Sequence, residues 1–174
     1  KAQLRVTEAD DDGLIVGYIL AARRAAESYI RGGIMTQTWD YTVDYDWPIV
    51  DIRGMARYRI ELPLHPVRSV TSVSYVDADG VTQTLTASLY TVHTDGPVQY
   101  IEKAYNASWP SVRCVPAAIT VRFVAGYVPE DVPDEIRSAI LLGVERLYDR
   151  CGDEGLIEDS RTALLDPYRM LRIA

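Results

Sequence analysis

The hydrophobic period changes within one short stretch, ITVRFVAGYVPEDVPDEIRSAILLGVERLY at residues 119–148, and nothing else in the chain restricts the fold as much. Ile119, Val121, Phe123 and Ala125 sit at every second position, the repeat of a strand with one buried face. Past Gly126-Tyr127, Asp131 and Pro133 suit the start of a helix, and Asp134 and Glu135 place carboxylates where the helix dipole favours them. Ile136, Ile140, Val144, Leu147 and Tyr148 then recur at helical spacing, and Gly152 is expected to end the helix. No residue from Ala139 to Val144 is charged, so this helix is expected to be buried on more than one side, against its own core and a neighbouring subunit.

Upstream, a first helix is expected to begin at Thr7. Glu8, Asp10, Asp11 and Asp12 crowd its start, and Thr7 or an aspartate can cap free N–H groups. Leu14, Ile15, Tyr18, Ile19, Ala22, Ala26, Tyr29 and Ile30 form its apolar stripe, and Gly32-Gly33 is expected to stop it. Strands follow. Trp39, Tyr41, Val43, Tyr45 and Trp47 alternate with Asp40, Thr42, Asp44 and Asp46, and Tyr58, Ile60 and Leu62 alternate with Arg57, Arg59 and Glu61. Val70, Val73 and Tyr75 lead to a tight turn at Asp79-Gly80 and a return over 81–85, and a second hairpin joins 89–92 to 98–101 around Asp95-Gly96. Residues 102–118, with Pro110 and Pro116, read as loop. After the second helix, residues 152–159 (GDEGLIED) read as an acidic linker, and a short helix from Ser160 is interrupted or restarted at Pro167.

This order predicts an α+β fold: a helical core, built from a long N-terminal helix and C-terminal helices, with a β-rich antiparallel insertion between them. The expected limits are 1–33 for the N-terminal helical element, 34–128 for the insertion and 129–174 for the C-terminal helices, as one compact domain. With 48% hydrophobic and 25% charged residues the chain can bury a core, and disorder throughout is excluded. No run of eighteen apolar residues exists to span a membrane, and KAQLRV lacks the apolar centre of a secretory signal. A net charge of −7 argues against a protein whose main task is gripping phosphates. The acidity is uneven: residues 129–174 hold eleven Asp/Glu against six Arg, whereas residues 1–31 hold five of each sign. Cys114 and Cys151 form no metal or redox spacing and are expected to be free thiols in a reducing compartment.

Few residues suggest chemistry. Asp40, Asp44 and Asp46 would share a strand face, with neighbours about 6.5–7 Å apart, a range that suits inverting glycoside hydrolysis or calcium; the alternative is a solvated edge whose charges discourage strand pairing. His65 and His93 each stand alone and are expected to be loop histidines without a special role. There is no P-loop, no GxGxxG and no GxSxG. Trp39, Trp47 and Trp109 could stack on bases or sugars, but the alternation of the first two favours packing. No catalytic residue, cofactor or metal is expected.

Six stretches in order along nearly the whole chain carry a resemblance: KAQLRVTEADDDGLIVGYILAARRAAESYI, MTQTWDYTVD, IELPLHPVRSVTSVSYVDADGVTQTL, ASWPSV, TVRFVAGYVPEDVPDEIRSAILLGVERLYDR and ALLDPYR. Together they resemble the head–tail connector (adaptor) proteins of tailed bacteriophages and gene transfer agents. His65 departs from the family pattern, where a less polar neighbour of the proline is expected. The resemblance implies a non-enzymatic virion protein, assembled in the bacterial host cytoplasm. Its ring of usually twelve subunits would lie beneath the portal, extend the DNA channel and meet the next neck, stopper or tail component. Portal protein and neighbouring copies are the implied partners. DNA would pass without sequence-specific binding, and no membrane is involved. The portal-docking tail would be Leu164, Leu165, Tyr168, Arg169, Met170, Leu171, Arg172 and Ile173. A ring needs two different contact faces on each subunit, and the apolar girth of the 136–148 helix (Ile140, Leu141, Val144, Tyr148) and the 14–30 stripe could supply them. Acidic excess in 129–174 would line the channel and repel phosphates; the alternative is helix-start charges and solvated faces. Another neck or tail-completion protein, or a small carbohydrate-binding or carbohydrate-processing protein, are the alternatives.

Overall fold

Alternation over residues 119–125 produces a strand with one face wholly inside, and the rest of the β structure is arranged around it. The structure, a computed structural model, describes residues 11–52, 55–96, 98–148 and 154–169. In chain order the elements are α1 (Asp12–Ile30), β1 (Gln37–Val43), β2 (Ile49–Ile52), β3 (Met55–Glu61), β4 (Val67–Val76), β5 (Thr82–Thr84), β6 (Tyr90–His93), β7 (Tyr100–Lys103), β8 (Ile119–Ala125), α2 (Asp134–Tyr148) and α3 (Glu154–Leu165). This is an α+β protein with antiparallel sheets. Its contacts group into two compact units: residues up to Ile34 together with those from Tyr127, and Met35–Gly126.

In the β unit, β8 lies between β1 and β4 and is antiparallel to both, giving the order β1-β8-β4-β5; a second sheet has the order β2-β3-β7-β6. Phe123 faces Trp39 on one side and Val70 on the other, and Val121 faces Tyr41 and Val73. Both sheets feed one buried cluster, with Val67, Val73, Val121 and Phe123 from the first sheet and Ile60 and Ile101 from the second. Trp47 joins it, stacked on Trp109 at 4.2 Å, with its indole N–H donated to the Pro110 carbonyl at 2.9 Å. Gln99 is a buried polar residue in this unit. Its Oε1 accepts the Val67 N–H at 2.6 Å and its Nε2 donates to the Thr94 carbonyl at 2.6 Å. Losing that side chain would strand two backbone groups, at about 1–3 kcal/mol for each one left buried.

The helical unit has its own cluster of Ala26, Ile30, Ile34, Val132, Ile136, Ala139 and Leu165. α1 and α2 approach closely because small residues meet: a Cβ on Gly143 would lie 3.0 Å from that of Ala22. Glu158 on α3 accepts from Arg161 one turn on, at 3.1 Å, and from Arg146 of α2 at 2.5 Å.

Several local expectations are corrected. α1 begins at Asp12 rather than Thr7, which lies outside the described residues. Its left-handed terminal residue is Arg31 (φ 56°), one before the glycines, and the Glu27 carboxylate accepts the N–H of buried Ile34 at 3.3 Å as the chain leaves. β1 stops at Val43 instead of running to Trp47: Tyr45 is left-handed (φ 68°) and donates its N–H to Val115, so the chain turns onto the 115–117 loop. Residues 154–159 are helical, not linker. Acidic residues near a helix start are favoured by its dipole, and the Arg146 and Arg161 contacts hold Glu158 in place. Gly152 lies outside the described residues.

Gly126 takes φ 106°, and a Cβ there would run into the backbone of Met35 and Thr36. Gly126→Ala is therefore expected to destabilise the fold by about 2–4 kcal/mol, combining left-handed strain and backbone overlap, read as a lower midpoint in chemical denaturation. The β4–β5 turn yields a pH dependence. The Asp77 carboxylate accepts from the Gln83 amide at 2.9 Å, from the Val81 N–H at 2.9 Å and from the Asp79 N–H at 3.1 Å. These donors, Gln83 first, hold its pKa below the ordinary 3.8. A depressed carboxyl stabilises the fold fully above 3.8 and loses that contribution as pH falls through its own lower value. An NMR titration should give Asp77 a midpoint below 3.8, with the Val81 amide following the same curve. A midpoint at or above 3.8 would contradict this account.

Candidate interaction surface

α1 carries more apolar surface than its core contact uses. From Gly13 to Ala22 the sequence has no charged residue, yet only Ile15 and Ala22 in that run are buried. Leu14, Val16, Ile19 and Leu20 are 43–56% exposed. The single stripe expected from periodicity is thus two surfaces: Ile15, Ala22, Ala26 and Ile30 face the core, while Leu14 and Ile19 join Val16 and Leu20 outside. A contiguous helical run with large apolar side chains exposed has the character of a contact face awaiting a partner.

On α2 the expected interface residues divide. Val144 is buried and Ile140 packs partly buried against the helical core. Leu141 is exposed, as is Leu147, which periodicity had placed in the main stripe; the buried positions of α2 are Ile136, Ala139, Gly143 and Val144. Tyr148 is half-buried and donates its hydroxyl to Asp11 at 2.9 Å.

The C-terminal segment is held to the helices as far as Arg169. Leu165 is fully buried and Leu164 packs beside it, so both serve the core. Tyr168 donates to Glu135 at 3.0 Å, Tyr29 donates to Asp166 at 2.6 Å, and the exposed Arg169 guanidinium stands 5.2 Å over the Tyr29 ring. The Asp166 carboxylate pushes the Tyr29 phenol up, burial and then Glu135 raise Tyr168, and Asp11 raises Tyr148, so each phenol is held in its donating form. No sequence pattern pairs a tyrosine with a carboxylate 137 positions away, and sequence reasoning missed these links. Met170, Leu171, Arg172 and Ile173 lie outside the described residues.

The three aspartates of the β unit do not share a strand face. Asp40 forms a two-pronged pair with Arg122 at 2.7 Å, which holds its carboxyl below the usual range. Asp44 accepts the Ala117 N–H at 2.6 Å, and Asp46 accepts that of Trp47 at 2.7 Å. Among the described residues no group of three or more His, Cys, Asp or Glu is placed to hold a metal ion. His65 is half-buried before the cis Pro66, and burial lowers its pKa; His93 stacks on Tyr100 at 4.7 Å. Trp39, on the edge strand β1, stays 40% exposed, so it is less a packing residue than its alternation implied. Cys114 is free and exposed, and Cys151 lies outside the described residues. No helix of the described residues is long and apolar enough to cross a membrane.

No family model matches the chain, and no curated protein does. Solved structures do. A chain from the virion of a native gene transfer agent particle superposes with a TM-score of 0.74 at 20% identity, covering 99% of this chain and 87% of its own. A chain from the neck of an empty gene transfer agent particle, computed with C6 symmetry, gives 0.73 at 20% identity over 97% and 83%. One from the neck of a native particle, computed with C12 symmetry, gives 0.72 at 20% identity over 92% and 84%. This chain therefore shares its fold, across nearly its full described length, with chains of gene transfer agent particles.

Proposed function

We propose that this protein is a non-enzymatic structural component of a virion neck, a head–tail adaptor that forms a ring, of twelve copies in this reading, beneath a portal. The observation that carries the proposal is the fold likeness to gene transfer agent particle chains over 92–99% of this chain, two of them from necks computed with C6 or C12 symmetry. In such a ring each copy offers one face to the next and receives a different one, so head-to-tail contacts need surplus apolar surface. Leu14, Val16, Ile19 and Leu20 of α1, with Leu141 of α2, provide it. Ile140, Val144 and Tyr148 support that face from behind. The exposed carboxylates around the start of α2, Glu130 and Asp134 among them, suit the wall of a channel through which DNA slides without adhering. In this reading portal docking falls to Tyr168, Arg169 and the residues beyond them, while Leu164 and Leu165 anchor that segment to the core. The far side of the ring meets the next neck or tail component.

Electron microscopy of the protein mixed with its portal should show a coaxial ring on the portal. Rings seated only on tail ends would favour a tail-completion role instead, and no ring at all would sink the adaptor reading. Leu20→Glu removes apolar contact at an exposed helical position, so the ring should be lost while the unfolding midpoint stays near the parent value. Rings persisting in that variant would exclude α1 as the contact face. Deleting residues 170–174 should leave the fold intact and abolish co-sedimentation with portal; normal co-sedimentation would remove the tail from the docking role.

A further inference from the structure

A groove of about 620 Å³ opens in the helical unit between α1 and α2. Its floor is made of small residues, Ala22 and Gly143, with exposed Ala21 and Ala25 beside them and half-exposed Tyr18 and Leu147 as walls. Arg146 and Arg161 also line it. The Arg161 side chain is 90% buried, and its Nε has no acceptor although no solvent reaches it. That atom lies 3.5 Å from where a Cβ on Gly143 would stand, so it borders the space the glycine leaves open. A buried N–H without a partner costs stability and is uncommon in native proteins. Nη1 of both arginines is engaged by the single Glu158 carboxylate. Among the described residues, two guanidiniums against one carboxylate leave one positive charge in excess beside an apolar floor.

From this geometry we infer that the groove is a docking site for a short partner segment that presents a carboxylate side chain flanked by apolar ones. A small turn of the Arg161 side chain brings Nε to the carboxylate, which also offsets the excess charge, and the flanking side chains lie on Ala21, Ala25 and Leu147. A charge-assisted hydrogen bond formed where water is already excluded gives such a segment both affinity and register. A nucleic acid fits less well. A phosphodiester track needs several cations in a row, whereas this groove offers a single excess charge beside an apolar floor, and the chain as a whole is acidic. The inference does not depend on ring formation, since a single copy contains the entire groove.

The test uses two capped tripeptides, acetyl-Leu-Glu-Leu-amide and acetyl-Leu-Gln-Leu-amide, titrated into nitrogen-15-labelled protein while the arginine Nε–H resonances are followed by NMR. The Glu peptide should shift the Arg161 resonance saturably. The Gln peptide should bind about tenfold more weakly, the effect of losing one charge-assisted hydrogen bond. Ala25→Leu, at an exposed position of α1, fills the groove without entering the core and should abolish the shift while the unfolding midpoint is kept. The inference is overturned by no shift at about 10 mM peptide, where a site with a Kd near 1 mM is filled. Equal binding of the two peptides, or undiminished binding by Ala25→Leu, would overturn it as well. A short DNA duplex that moves the same resonance more strongly than the Glu peptide would assign the groove to nucleic acid. Self-association abolished by Ala25→Leu would assign it to a second copy. Either result refutes the peptide site.

Discussion

Ile119, Val121, Phe123 and Ala125 expose no surface, and the strand that carries them is bonded along both edges, to β1 and to β4. Shifting β8 by one residue against its neighbours would turn all four side chains outward and put Thr120, Arg122 and Val124 in the core, so its register is fixed by the cost of that exchange. The rest of the β unit inherits this constraint. β1 and β4 take their alignment from β8, β5 takes its own from β4 through the Asp77 turn, and the second sheet closes over the same cluster through Ile60 and Ile101. Gln99 then ties the start of β4 to the β6–β7 connection with two buried hydrogen bonds.

Much of this was legible in the sequence because it is written in short-range patterns. Alternation located β8, the helical repeat located α2, and Asp-Gly and Gly-bearing turns located the hairpins 67–84 and 90–103. Failures came where the deciding contact is distant. Tyr45 leaves the strand because a loop some seventy residues on accepts its N–H, and 154–159 is helical partly because two arginines hold Glu158. Local composition, with two glycines and a run of acids, pointed the other way. The tyrosine–carboxylate links that hold the C-terminal segment are of the same distant kind.

The proposed contact face was half visible. Periodicity identified α1 as amphipathic, but it counts apolar residues without knowing how many the core can accept. Four positions, Ile15, Ala22, Ala26 and Ile30, satisfy the core contact, and the surplus on Leu14, Val16, Ile19 and Leu20 stays outside. Small residues explain the rest: Ala22 against Gly143 lets α1 and α2 approach too closely for larger side chains to enter. The same close approach leaves the open floor of the groove beside Arg161.

The chain passes from the helical unit into the β unit after Ile34 and returns before Tyr127, and these two passages run side by side. The Tyr127 N–H bonds the Ile34 carbonyl at 2.9 Å, and three residues later Gln37 is the register partner of Ala125. The β unit is therefore attached like a cassette, with both of its ends at one point. A cassette of this kind can be lengthened, shortened or exchanged by recombination at two points of the gene whose encoded residues lie side by side, while the helical unit keeps its own core. Descendants of one ancestral chain could in this way change one unit without relearning how to fold the other.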